Sequence, residues 1–132
     1  FRPRIQHAFR SVEDQRLLKA GGTSKLAWGY HNCASVDGKP ERLAADVLDD
    51  DFPLASRVEY LVRLAHYSQI EQLSTGIAWG LPAAFKQTLE TVIASDVPTG
   101  LAGLKIGWDP THVQWVGISV AEAKAGARPA TP

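Results

Sequence analysis

The chain has 132 residues, 45% of them apolar and 21% charged, with 14 basic side chains against 14 acidic ones. That describes a folded globular chain: too apolar for a disordered segment, too short for two ordinary domains, and without the roughly 18 consecutive apolar residues of a membrane span. A formal net charge of zero leaves no global field to hold a polyanion and argues against a nucleic-acid module, although Arg2, Arg4 and Arg10 form a local basic cluster suited to an anionic ligand.

Phe1 in place of a methionine reads as the start of a processed chain, with any targeting signal expected upstream. Ser11 followed by Asp14 is a capping signal, so a helix is expected over 12–20, closed by Gly21-Gly22, with Arg10 just before its first turn. Residues 25–33 are rich in aromatic and small side chains and read as extended, and 43–48 read as a second strand. Between them Asp37-Gly38 signals a turn, so the intervening stretch is expected to form a hairpin or loop that returns the chain. Pro53 suits the first turn of a long helix over 54–73, with Leu54, Val58, Leu61, Ala65 and Leu73 on its apolar face. A further helix is expected over 82–95, where Phe85, Leu89, Val92 and Ile93 recur at helical spacing before Pro98 and Gly100 break it. Strands are expected over 104–108 and 112–120 around an Asp109-Pro110 turn. From Ala121 the chain is small, polar and proline-bearing, which predicts a frayed end or linker over 121–132 after a domain over 1–120. The fold class expected is α+β, a small antiparallel sheet with helices packed on one side.

Two histidines and two aspartates in separated segments carry the chemistry: His31 in YHN, Asp46 in LAADV, and Asp109 and His112 in WDPTHVQW. A catalytic zinc ion takes imidazole nitrogen and carboxylate oxygen from three protein ligands and leaves a fourth position to water; His31, Asp46 and His112 are candidates for those three. Asp109, three residues before His112, is the candidate base for the water. Asp46 lies in an apolar strand pattern, where a carboxylate needs a partner; Asp37 stands as the alternative ligand, and Asp49, Asp50 and Asp51 read as a solvated approach to the next helix. Other divalent ions are compatible with the same mixed donor set. His7 and His66 are assigned to structure or solvent, and the lone Cys33, which has no disulfide partner, reads as a buried thiol, with a softer site shared with His31 as the other reading. Trp28, Tyr30, Trp79, Trp108 and Trp115 are expected mostly in the core, with one or two walling a cleft.

In chain order the sequence offers FRSVEDQ (9–15), GYHN (29–32), AADV (44–47), AWG (78–80) and DPTHVQ (109–114). This succession resembles the M15 zinc metallopeptidases, the D-alanyl-D-alanine carboxypeptidase and phage endolysin group, over about residues 9–115. It departs from them in two places. Gly29 stands where the family has a serine, and residues 32–45 separate His31 from Asp46, a wider gap than the family's. A second expansion, between Gly80 and Asp109, is expected to house an extra helix. The resemblance implies a DD-peptidase (hedgehog-like) fold with zinc on His31, Asp46 and His112, Asp109 as catalytic base, and Arg10 steadying the oxyanion of the tetrahedral intermediate. Gln15 would support that arginine, and Gln15, Tyr30 and Trp79 would face the substrate. It further implies hydrolysis of a peptide bond in the peptide stem of bacterial peptidoglycan, most simply as an endolysin-type endopeptidase. Alternatives are a D-Ala-D-Ala carboxypeptidase of the same fold or a non-catalytic module binding cell wall or protein. The expected place of action is the bacterial cell wall, whether the protein is secreted, periplasmic or released from a phage-infected host, and the expected state is a monomer.

Overall fold

Ser11 sits in extended backbone, and its hydroxyl accepts the Asp14 amide at 3.0 Å; from this cap helix α1 runs Val12–Ala20 in the computed structural model, which describes residues 1–35, 37–95 and 97–130. Val36, inside the expected loop, and Thr131 and Pro132, in the expected tail, lie outside the described residues. The class is α+β: strands β1 (Pro3–His7), β2 (Ala44–Asp49), β3 (Leu73–Gly76) and β4 (Asp109–Trp115) form a four-stranded antiparallel sheet in the order β1-β2-β4-β3. The further helices are α2 (Val58–Ile70), α3 (Ala83–Ile93) and α4 (Val120–Lys124). Among the described residues no helix is long and apolar enough to cross a membrane.

The chain divides into two compact units, residues 1–6 with 46–113 and residues 7–45 with 114–132. In the first, α2 packs on β3 and α3 around Tyr60, Leu61, Val62, Ala65, Ile77, Leu89 and Ile93. The second is centred on buried Cys33, Leu43 and Ala123, with Trp28, Tyr30, Trp115 and Ile118 packed against them.

Several elements differ from the sequence reading. Residues 25–33 do not form a strand; they end in a single 3-10 turn, Tyr30–Asn32. The cause is local: Asn32 Oδ1 accepts the Gly29 amide at 2.8 Å, and its Nδ2 donates to the Arg10 and Ser11 carbonyls at 2.7 and 3.1 Å. Such side-chain bonds compete with a strand ladder for the backbone. Helix α2 starts at Val58 rather than at Leu54, because Arg57, its extended N-cap, holds Asp49 at 3.0 Å and lies over the rings of Phe1 and Phe52. Leu54, expected on the helix's buried face, is fully exposed. The helix ends at Ile70 because Gln72 takes φ 58°, and Leu73, expected within it, opens β3.

Strand β1 carries no hydrophobic signal, since all five of its residues are exposed; Pro3 at its first position suits an edge strand, which needs fewer amide donors. Residues 104–108 form no strand. Their backbone bonds instead to the turn after β3, Gly107 N to Ile77 O at 2.6 Å and Trp108 N to Trp79 O at 3.2 Å. Asp109-Pro110 is the start of β4 and not a turn. Finally, the stretch expected to fray from Ala121 carries α4, capped by Ser119 and Glu122 with Ala123 buried, and Arg128 beyond it donates to Glu41 and to the carbonyls of Ala34, Ala123 and Ala127.

Candidate functional site

In the first unit the chemistry collects on two adjacent strands. Asp46 stands on β2 and His112 on β4, its neighbour in the sheet. His112 is buried, and its Nδ1 lies 3.5 Å from Asp46 Oδ1 and 3.9 Å from Asp109 Oδ2. Two carboxylates thus face one ring nitrogen, Asp109 the more exposed of the two. Imidazole nitrogen and carboxylate oxygen are donor types that suit a divalent cation, and Asp46 and His112 bring one of each together with Asp109 beside them.

Trp79 lies against the same imidazole, ring centroids 4.9 Å apart at 44°, and Trp108 lies 5.2 Å from Trp79 on its other contact. Trp79 is half-buried, whereas Trp108 is exposed. Both are held through the main chain, since Trp79 N donates to Gly76 O at 3.0 Å and Trp79 O accepts from Trp108 N.

In the second unit, His31 occupies the 3-10 turn and is 8% exposed. Its Nδ1 lies 3.3 Å from the carbonyl oxygen of Ala8, and its own carbonyl accepts the Arg10 amide at 2.8 Å. A main-chain carbonyl beside a ring nitrogen is the arrangement usual behind metal-bound imidazole. Arg10 Nη1 donates to Gln15 Oε1 at 2.9 Å, and Gln15, 4% exposed, donates through Nε2 to Ser24 Oγ at 2.9 Å and Leu26 O at 2.8 Å. Gln15 is thus engaged at both ends of its amide and steers the guanidinium. Tyr30 packs with the second core and donates its hydroxyl to the Ile118 carbonyl; burial, then the charges of Cys33 and Glu122, push its pKa up.

Asp37, the alternative ligand, lies on an exposed turn, accepting from Ser35 and paired with Lys39 at 2.9 Å; those bonds hold its carboxyl below the usual range. Cys33 has no solvent exposure, and burial pushes its thiol up, so it belongs to the core. His66 Nδ1 lies 2.7 Å from the Ile93 carbonyl, within α2 and away from β2 and β4 in sequence. Sequence reasoning gave Asn32 no role of its own, although it fastens the His31 turn to the entry of α1. Its one signal is a side-chain amide set among aromatic and small residues. No family model matches the chain, and no curated protein or solved structure matches it.

Proposed function

We propose that the protein is a zinc-dependent hydrolase of a peptide bond in bacterial peptidoglycan, acting as an endolysin-type endopeptidase on a DD-peptidase-like fold. The observation that carries this reading is the Asp46–His112 pair at 3.5 Å with the Asp109 carboxylate 3.9 Å from the same nitrogen. The order of the motifs along the chain and the carbonyl acceptor at His31 Nδ1 support it.

Asp46, His112 and His31 are the proposed ligands. When bound, zinc supplies the Lewis acidity that polarises the scissile carbonyl and makes the attacking water acidic near neutral pH. Asp109 takes the proton of that water and passes it to the departing amine. Arg10, steered by Gln15, offers a permanently charged donor to the oxygen that gains negative charge in the tetrahedral intermediate, a contribution of order 3 kcal/mol in a dry site. His31 is fixed by the Ala8 carbonyl and by the turn that Asn32 staples, so little reorganisation accompanies ligand binding.

Metal analysis of the purified protein, combined with loss of turbidity in a cell-wall suspension, tests this directly. One zinc per chain and wall clearance are expected. Asp109→Ala should retain the zinc and lose at least about 100-fold in rate, whereas an unchanged rate would remove the base assignment. Mass spectrometry of the products should show linked muropeptides; free D-alanine would instead identify terminal trimming. A protein that binds no divalent ion and leaves walls intact would overturn the proposal.

A further inference from the structure

We infer that Trp79 is a positioning residue for His112. The inference rests on the reading of His112 as a metal ligand, but its geometric half stands without it.

Three observations hold Trp79 against the imidazole. The rings of Trp79 and His112 are 4.9 Å apart at centroid, within the range of a packed aromatic pair. The turn carrying Trp79 is pressed onto the head of β4 with no room for a side chain between them: a Cβ at Gly76 would stand 2.1 Å from the Asp109 carbonyl oxygen, and one at Gly107 would stand 2.5 Å from the Trp79 oxygen. Trp108 also packs on Trp79, ring centroids 5.2 Å apart, its indole edge 2.9 Å from where a Cβ on Gly80 would lie. Backbone bonds from Gly107 to Ile77 and from Trp108 to Trp79 lock the two segments together.

The consequence concerns one torsion. A histidine on a strand retains rotation about its Cβ–ring bond, a broad two-fold torsion, and only part of that range turns Nδ1 towards Asp46 and Asp109. A rigid indole against the ring narrows the range before any ion arrives. Holding one side chain in place before binding is worth up to about tenfold in affinity.

Two substitutions separate an aromatic face from simple bulk: Trp79→Phe keeps a ring against His112, and Trp79→Leu fills the space without one. In metal-free protein, the His112 ring protons should carry a ring-current shift in the wild type, retained in part in Trp79→Phe and lost in Trp79→Leu. Calorimetric titration with zinc alone should then give an affinity about tenfold weaker for Trp79→Leu, with Trp79→Phe close to wild type. Circular dichroism of each variant establishes that it is folded. His112 shifts unchanged in Trp79→Leu would overturn the inference whether or not metal binds. Equal zinc affinity in all three proteins would overturn it while leaving the metal site standing. A wild type that shows the ring-current shift but takes up no zinc would refute the metal reading and with it the effect on affinity, while supporting the packing role of Trp79.

Discussion

Asp49 has no solvent exposure, yet its carboxyl lies below its ordinary value. Burial works to raise it and is outweighed by the amides of Arg2 and Asp51, at 3.1 and 3.2 Å, and by the Arg57 guanidinium at 3.0 Å. The sign of the linkage follows. A carboxyl lowered in the folded state contributes stability above its unfolded value, and that contribution is lost as pH falls through the folded one. The thermal midpoint should therefore drop on acidification below about pH 4. Asp49→Asn should be less stable at neutral pH and flatter across that window, and a melting series against pH that gave parallel curves would exclude the role. This residue was legible only as an acidic neighbour of Asp50 and Asp51, because its partners include a main-chain amide 47 positions away. Asp109 and His112 were paired by the spacing of the motif rather than by strand geometry, since residues three apart on a regular strand face opposite ways, yet at the head of β4 their side chains come to 3.9 Å. The setting of His31 was not legible, because it depends on carbonyl oxygens at Ala8, Arg10 and Ser11 that no local pattern announces.

Helix α1 was readable to the residue because its limits are written in its own side chains, Ser11 at one end and Gly21 at the other. Helix α2 was not: its start is set by the grip of Arg57 on Asp49, and its end by a left-handed glutamine where glycine is the usual choice. Gln72→Gly should therefore stabilise the protein by about 0.5–1 kcal/mol, measurable as a raised urea midpoint at constant slope. The short strands β1 and β3 escaped notice for different reasons, the first because it is exposed throughout and the second because Leu73 continues the apolar spacing of the helix before it. Strand β4 owes its position to Gly76, whose missing side chain admits the Asp109 carbonyl. Gly76→Ala should cost about 2–3 kcal/mol, and a urea midpoint equal to wild type would show that the contact relaxes without strain.

At the scale of the whole chain, the succession of helix and strand patterns gave the α+β class and located most of the helical mass, and among the described residues no helix is long and apolar enough to cross a membrane. A bound ion acts at this scale too. If zinc binds the folded state alone, a hundredfold excess over its dissociation constant adds about 2.7 kcal/mol, or a rise of about 10 °C in the melting temperature at an unfolding entropy of roughly 2 cal/mol/K per residue. A chelator should reverse the rise, and His112→Ala should abolish it; scanning calorimetry with and without zinc would show an unmoved transition if no such ion is held. The last described stretch of the chain belongs to this scale as well. Arg128 spends its donors on Glu41 and on three carbonyls, one of them at Ala34, so it behaves as an interior residue although it stands close to the end of the sequence. A saturation scan would consequently find tolerance at its exposed neighbours and intolerance at Arg128 itself. Removing that guanidinium would be felt first in the segment leading towards β2, some ninety positions upstream, as faster amide exchange around Ala34 and Glu41.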